Sequence, residues 1–458
     1  MNMNNLAEKF VFYSIVFGCF NGLAIIRGFS LFEEGFFYFA TLGMFIFLLN
    51  IKNEKLYITD IVKLYTCFFI WSIFVTLVNI DNIMGLKFKG ISAEYVMVKE
   101  IISFVWLGAF ILFYTKIFVE KSNIISWIYK GIKISFYITL VFVIIQGLAM
   151  AGYDFAMNLH ILTQKIVNVQ FTNRYELGTP EYLPGLFGAT KEQSSLGNYI
   201  SVVFPWLVLG MFSLKKEIIP KVLCILSIVC VIFSYSRIAY GTLFIELILM
   251  IVFVFNKKIF NIKRIFFSIF FMSIIIYFIG NNDELLEKIV GVFLSFSDEA
   301  DIGRMASNIT RLSMQVAAVN MFFYNPLGMG IGQYAFHAID FLPSWAYLSP
   351  EMVAVISPAK GSIMYGSYNT HLRVLAELGI VGFIIWVITI IKGIKNYLFV
   401  LKNINKEERY KIKLIIISYI ISLIGFINFD IYVFFYYWML LILSSVLVLK
   451  IKKGNINN

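Results

Sequence analysis

The chain has 458 residues, of which 60% are hydrophobic and 14% are charged, and its mean hydropathy is +0.83. Soluble globular proteins carry about 25% charged residues, so this composition excludes a large soluble α-helical protein. The net charge of +11 does not indicate a nucleic-acid partner, because most lysines lie in short loops between apolar runs and no aromatic–basic module is visible.

Apolar runs long enough to cross a hydrocarbon core of roughly 30 Å recur along the whole chain. We predict one all-α integral membrane domain, residues 1–458, with about twelve transmembrane helices. The predicted spans are 9–28, 35–50, 61–80, 97–115, 126–149, 193–213, 219–235, 238–256, 264–280, 371–391, 411–427 and 431–449. The first resembles a signal peptide but lacks a clear cleavage site, so we interpret it as an uncleaved helix. Without the break at Ser236 and Arg237 the count is eleven.

Every second connection is basic, which sets the predicted orientation. The positive-inside rule places these connections and both termini in the cytoplasm. The basic residues cluster near 52–55, 116–130, 215–221, 257–264, 392–409 and 450–453. Two connections on the other face are long, 150–192 and 281–370, and we expect function to lie there.

The first long external loop contains Arg174, the turn-rich sequence PGLFG, and then Lys191 and Glu192 at the mouth of the next helix. One interpretation is a solvated loop with a helix cap. The other is a lip that binds a substrate.

The sequence SYSRIAYG places Arg237 between two short apolar segments near the external surface. A cation at the centre of a membrane helix costs about 2.5–3.5 kcal/mol on insertion scales. Arg237 either snorkels to the interface or pairs with a buried anion, for which the neighbouring serines and tyrosines (Ser234, Tyr235, Ser236 and Tyr240) offer a polar niche.

The second long loop contains a predicted amphipathic helix that Pro326 and Gly328 end. Its polar face carries Arg304, Asn308, Arg311 and Gln315, and a separate apolar face carries Ile309, Leu312, Val316, Val319 and Phe323. The helix either rests on lipid headgroups or cradles a diphosphate, which the fork of arginine binds in a bidentate manner. The following PLGMGIGQY has no preceding strand and no Lys-Ser/Thr, so we predict a flexible turn and exclude a P-loop.

The stretch SYNTHLRVLAELGIVG places His371 at the start of the tenth span. Arg373 and Glu377 can form an i, i+4 pair, while Gly379 and Gly382 permit close helix packing. His371 is either an interfacial cap or a group that orients or deprotonates an incoming hydroxyl.

No metal site or cofactor is predicted. The four cysteines all fall inside apolar runs without metal-ligand spacing. We interpret the acidic residues of the second loop as a solvated segment: Asp283, Glu284, Glu287, Asp298, Glu299 and Asp301.

The order of four segments along the chain resembles that of the O-antigen polymerase and O-antigen ligase superfamily of membrane glycosyltransferases. The segments are GLFGATKEQSSLGNY, SYSR, R…PLGMGIG and H-x₅-E-x-G-x-x-G. The resemblance covers roughly residues 170–385. Arg174 and Gly185 also match an R-x₁₀-G motif of such polymerases. A companion R-x₁₅-G motif is not matched, because Gly328 comes one residue too late after Arg311, which leaves open whether Arg304 or Arg311 binds diphosphate.

The resemblance implies metal-independent inverting transfer of a glycan from an undecaprenyl (polyprenyl) diphosphate carrier at the external face of a bacterial inner membrane. It implies catalytic roles for Arg237, Arg311 and His371. Substrate-binding roles would fall to Arg174, Lys191, Glu192, Arg304, Arg373 and Glu377. Partners would be the lipid-linked glycan, membrane lipid and a chain-length regulator.

We expect a polymerase that joins repeat units into O-antigen or capsule. The alternatives are a ligase that transfers the glycan to lipid A–core and, from another class, a flippase of lipid-linked oligosaccharides. A flippase should show internal repeats, and none is visible.

Overall fold

The computed structural model describes residues 3–23, 25, 30–49, 55–168, 185–214, 217–254, 302–357 and 366–454. Over these residues the fold is almost entirely helical, with one small antiparallel hairpin of β1 (Lys87–Phe88) and β2 (Ile91–Ser92). The helices are α1 (Met3–Val16), α2 (Gly35–Leu49), α3 (Asp60–Val78), α4 (Ile80–Ile83), α5 (Ala93–Glu120), α6 (Ile124–Met150), α7 (Asp154–Val167), α8 (Gln193–Ser213), α9 (Ile219–Ser234), α10 (Arg237–Phe253), α11 (Ile302–Tyr324), α12 (Tyr334–His337), α13 (Pro350–Ile356), α14 (Thr370–Asn403), α15 (Arg409–Gly425) and α16 (Phe435–Lys452).

The described helices support a multi-pass membrane protein. Six of them, α3, α5, α6, α8, α14 and α16, are long and apolar enough to cross a bilayer, and two shorter apolar segments lie at Gly35–Leu49 and Ile219–Phe233. Each predicted span except 264–280 overlaps a described helix, and 264–280 lies outside the described residues. A count of twelve therefore stays a prediction.

The centre of the fold is formed by α8 and α16. In their apolar windows 89% and 78% of the residues, respectively, are buried inside the protein. Helix α8 packs against α9, α10 and α15, while α16 packs against α14 and α5. The outer helices instead expose large apolar side chains, such as Phe244 and Val252, as a lipid-facing surface requires.

The basic connections meet at one end of the bundle. Lys121 forms an ion pair with Glu8, and Lys450 donates a hydrogen bond to the carbonyl oxygen of Lys121. On the same side, Lys392 Nζ lies 2.6 Å from the carboxylate of Asp60. The ends of α1, α3, α5, α14 and α16 that carry these residues therefore share one face of the molecule.

The long loops contain helices of their own. The first includes α7, a helix that the sequence interpretation treated as loop. The second includes α11, as predicted. However, the residues of the predicted apolar face are exposed, such as Leu312 and Phe323, or half-buried, so this is not the face that packs on the protein. The face that packs on the protein carries small or flexible residues (Ala306, Thr310, Ser313, Ala317 and Met321), which allow close approach to α14.

Candidate active site

A large cavity among the described residues has a volume of about 1020 Å³. It is lined by the start of α8, by the turn between α9 and α10, by one face of α11, and by the segments just before α14 and just before α16. The charged residues at its surface are Lys191, Glu192, Arg237, Arg311, Glu351 and Asp430. The cavity therefore brings together three cations from three separate parts of the chain.

Arg237 is presented by a sharp turn. Helix α9 ends at Ser234, Tyr235 adopts a left-handed conformation with φ of 50°, and Ser236 caps α10 by accepting a hydrogen bond from the backbone N–H of Ala239 at 3.4 Å. Arg237 is thus the first residue of a new helix, at the edge of the cavity. The division predicted at Ser236 and Arg237 is confirmed.

The turn is held by the GLFG segment of the first loop. The backbone N–H of Leu186 donates to the carbonyl oxygen of Phe233 at 2.9 Å. Gly185, with φ of 145°, lies against the ring of Tyr235 and the carbonyl oxygen of Ser234, so a side chain at this position would collide with both. The loop and the turn carrying Arg237 therefore form one unit.

Gln146, a wholly buried residue of α6, fixes this loop. Its side-chain amide donates to the carbonyl oxygen of Gly185 at 2.9 Å, and its side-chain oxygen accepts from the backbone N–H groups of Phe187 and Gly188 at 2.9 and 3.0 Å. The sequence interpretation missed Gln146, although a lone amide in an apolar span indicates a polar contact.

Lys191 and Glu192 lie at the start of α8, as the lip interpretation expects. The backbone N–H of Lys191 donates to Asn21 Oδ1 at 3.0 Å, and the side chain of Asn168 donates to the Lys191 carbonyl oxygen at 3.0 Å. Glu192 is the N-cap residue of α8 and accepts a hydrogen bond from Ser194 Oγ at 2.6 Å. Lys191 also lines a smaller cavity beside Glu34, where burial raises the pKa of the Glu34 carboxyl to about 8 and the charge of Lys191 opposes that rise.

Helix α11 directs Asn308, Arg311 and Gln315 into the cavity, as predicted for its polar face. The guanidinium carbon of Arg311 lies 5.3 Å from the ring centroid of Tyr368, within the range of a cation–π contact. Tyr368 has a positive φ of 55°, which is unusual for an aromatic residue. The sequence interpretation missed Tyr368, although it lies three residues before His371.

His371 itself is not among the residues that line the cavity. Its Nδ1 accepts a hydrogen bond from Trp386 Nε1 at 2.9 Å, which leaves Nε2 as the donor to the carbonyl oxygen of Leu423 at 3.2 Å. Its ring also packs edge-on against Phe426. Both ring nitrogens are therefore engaged by the protein, and the predicted role of His371 at an acceptor hydroxyl stays a prediction.

Arg373 and Glu377 form the predicted pair, with Arg373 Nε 3.0 Å from Glu377 Oε1. Neither lines the large cavity. Arg373 also contacts the carboxylates of Glu100 at 3.2 Å and Asp430 at 3.3 Å, and its guanidinium stacks on the ring of Tyr432. The pair therefore belongs to a buried ionic network behind the cavity, which reaches the cavity through Asp430.

Glu377 ties this network to the glycine-rich loop. Its carboxylate accepts from the backbone N–H groups of Gly332 and Tyr334 at 3.0 and 3.1 Å, and from the hydroxyl of Tyr432 at 2.8 Å. The loop also donates to the backbone of α14, from Gly330 N to the carbonyl oxygen of Glu377 at 2.9 Å. The prediction of a flexible turn is wrong, because these bonds fix the loop on α14.

Two glycines let the loop cross α14. Gly379 interrupts that helix with φ of 64° and ψ of −166°, and a side chain there would strike the backbone of Leu327. A side chain on Gly328 would strike the carbonyl of Glu377. The N–H of Ile380 then donates to the carbonyl oxygen of Pro326 at 2.9 Å. The end of α11 is thereby joined directly to α14.

Two predicted site residues remain without a described side chain. Arg174 lies outside the described residues, as does the predicted acidic segment 283–301. Arg304 belongs to α11, but its side chain is likewise not described. The choice between Arg304 and Arg311 therefore stays open, and Arg311 is the one whose side chain lines the cavity.

A family model described as "O-Antigen ligase" matches residues 222–387. No curated protein matches the chain significantly. The matched segment runs from α9 into α14 and contains Arg237, Arg311 and Tyr368, whereas Lys191 and Asp430 lie outside it. Over this segment the chain is similar to the O-antigen ligase family, which supports the resemblance to the O-antigen ligase and polymerase superfamily of membrane glycosyltransferase-like enzymes.

Proposed function

We propose that the protein polymerises polyprenyl diphosphate-linked oligosaccharide repeat units into a surface polysaccharide. The observation that carries this proposal is the convergence of Lys191, Arg237 and Arg311 on one cavity of about 1020 Å³. Drug-sized ligands occupy cavities of about 300–1,000 Å³. A volume at the top of that range suits the headgroup of a carrier lipid together with part of an acceptor glycan.

The cationic groups match the charge that develops in this reaction. As the bond between the anomeric carbon and the diphosphate breaks, its electron pair stays on the diphosphate oxygen. Fixed cations directed at that charge lower the barrier. Arg237 and Arg311 would hold the departing diphosphate, with Lys191 and Glu192 at the substrate lip. Arg174 and Arg304 remain candidates for the same role.

Helix connectivity supports an external location for the cavity. The starts of α8, α10, α14 and α16 meet there with the ends of α9 and α15. The basic connections lie at the opposite ends of these helices and, by the positive-inside rule, face the cytoplasm. Both substrates are anchored in the membrane, so holding them at one face also supplies proximity.

His371 would act through its neighbours. Its ring would have to leave Trp386 and Leu423 before it could reach a hydroxyl. We therefore assign it to holding the start of α14, and with it Tyr368, in place. Arg373 and Glu377 have a similar supporting role through the ionic network.

The deciding experiment incubates purified protein in detergent or nanodiscs with a lipid-linked repeat unit and separates the products by size. A ladder of lengths supports polymerisation. A single transfer that requires lipid A–core supports the ligase alternative, to which the description of the matched family points. Movement of the substrate across vesicles without transfer would support a flippase. EDTA should leave the rate unchanged, and strong inhibition would contradict metal independence.

A further inference from the structure

The proposed transfer needs a group that removes the proton of the acceptor hydroxyl, and His371 does not line the cavity. The carboxylates that do line it are Glu192, Glu351 and Asp430. We propose that Asp430, in the segment between α15 and α16, is the general base of the reaction. This inference rests on the proposed function and adds a catalytic residue outside the segment that matches the family.

The surroundings of the three carboxylates distinguish them as proton acceptors. Glu192 is the N-cap of α8 and lies beside Lys191, and Glu351 is in the first turn of α13. Both of these carboxylates therefore lie at the partial positive charge of a helix N-terminus. Asp430 lies five residues before α16 and is at no helix start.

The network behind the cavity leaves Asp430 only partly neutralised. Arg373 is shared by three carboxylates, and its contact with Asp430, at 3.3 Å, is longer than those with Glu377 and Glu100, at 3.0 and 3.2 Å. Glu34 lines the small cavity next to the same group. Asp430 is therefore the least closely paired of the three carboxylates around Arg373.

Only one member of the network can reach a substrate in the large cavity. Glu377 is wholly buried and its oxygens are occupied by backbone and tyrosine donors. Glu100 lines only the small cavity among the cavities described. Asp430 lines both, and its side chain is 13% exposed.

The carboxylate of Asp430 is held in a fixed place. Its Oδ2 accepts from the backbone N–H of Ser367 at 2.6 Å, and Oδ1 faces Arg373. The carboxylate lies so close to Gly366 that a side chain at 366 would overlap it. Each carboxylate oxygen keeps a second acceptor direction for a substrate hydroxyl.

The proposed step balances in charge and atoms. The acceptor O–H gives its proton to Asp430, and the oxygen forms a bond to the anomeric carbon of the donor sugar. The bond from that carbon to the diphosphate oxygen breaks, and the electron pair leaves with the diphosphate, held by Arg237 and Arg311. The protonated Asp430 then returns its proton to solvent.

The test compares Asp430→Asn with wild type in single-turnover transfer and in binding of polyprenyl diphosphate. General-base catalysis contributes about 10²–10⁴-fold, so we expect a loss of that size in transfer with donor affinity unchanged. Formate should partly restore transfer to Asp430→Ala but not to Arg311→Ala. The control Asp340→Asn removes an exposed carboxylate outside the cavity and should keep the wild-type rate.

Full transfer by Asp430→Asn, or a loss of donor binding equal to the loss of transfer, would overturn the assignment. A comparable loss in Glu351→Gln with formate rescue would move the role to Glu351. If Asp430→Asn does not fold, Gly366→Ala is the second variant, because it keeps every polar group and displaces the Asp430 carboxylate. Slow transfer by this variant with intact donor binding supports the proposal. Transfer at the wild-type rate contradicts it. Absence of any transfer by wild type would instead count against the proposed function.

Discussion

At the scale of single residues, the two arginines of the cavity give the most direct prediction. Arg237→Ala or Arg311→Ala should lower kcat by about 100- to 1000-fold, the typical effect of removing one donor to a developing charge. Lysine substitutions should recover part of that loss, because they keep the charge but not the bidentate fork. Product ladders quantified over time provide the measurement.

A matched control is available at the other end of the bundle, where Arg409 begins α15. Arg409→Ala should insert and polymerise like wild type. If Arg409→Ala lost as much activity as the cavity variants, the loss would not be specific to arginines of the cavity. It would then be no evidence for a diphosphate site.

Tyr368 provides a separate prediction. A cation–π contact is worth about 0.5–2 kcal/mol, so Tyr368→Ala should weaken donor binding by about 2- to 30-fold. Tyr368→Phe keeps a ring under Arg311 and should bind donor nearly as well as wild type. Titration with a polyprenyl diphosphate checks both values, and equal losses in the two variants would mean that the hydroxyl is the important group.

Glu34 predicts a pH effect on stability. Burial raises the pKa of its carboxyl from 4.5 to about 8 in the folded protein. Between those values the folded protein holds a proton that the unfolded chain has lost, so raising the pH through this range favours unfolding. Glu34→Gln has no carboxyl at this position that can titrate. Its free energy of unfolding should therefore increase relative to that of wild type as the pH rises. Unfolding temperatures in detergent measured across the range test this; a constant difference would contradict it.

At the scale of elements, the crossing of the glycine-rich loop and α14 should be sensitive to one methyl group. Gly379→Ala places a side chain in a backbone region that costs about 1–3 kcal/mol and against the backbone of Leu327. We expect a lower unfolding temperature and loss of transfer. Gly241, inside α10 with open space around it, is the matched control. Gly241→Ala should be neutral or stabilising by up to about 1 kcal/mol.

The same crossing shows where sequence reasoning ends. Apolar periodicity predicted the helices well, because burial in lipid or core demands it, and α11 and the break at Arg237 were found in this way. The pairing of Glu377 with loop N–H groups joins segments that are about 45 positions apart, and no local pattern carries that information. The same holds for Tyr368 and Asp430, whose importance depends on which segments meet at the cavity.

His371 shows a different limit of sequence reasoning. A rare, titratable residue at a helix start suggested chemistry, but Trp386 lies four turns further along the same helix and provides a hydrogen-bond partner. The sequence did not show that both ring nitrogens have partners within the protein, and the catalytic role that the resemblance implies stays a prediction.

At the scale of the whole molecule, sidedness is open to direct measurement. Asp340→Cys and Lys406→Cys place exposed thiols at opposite ends, and in a Cys67→Ser background the remaining cysteines are buried. A membrane-impermeant thiol reagent should label position 340 in cells whose outer membrane is permeabilised and whose inner membrane is intact. It should label position 406 only after lysis. Labelling in the reverse order would put the cavity on the cytoplasmic side and contradict the proposed use of an externally presented donor.

Gln146 has a consequence for how this protein can diverge. One amide satisfies a carbonyl and two N–H groups. Glutamate would set one carboxylate oxygen against the Gly185 carbonyl, and leucine would leave all three backbone groups without a partner in hydrocarbon. Relatives that retain the PGLFG turn should therefore keep an amide at this depth of the sixth helix, and those that lose it should have rebuilt the turn as well.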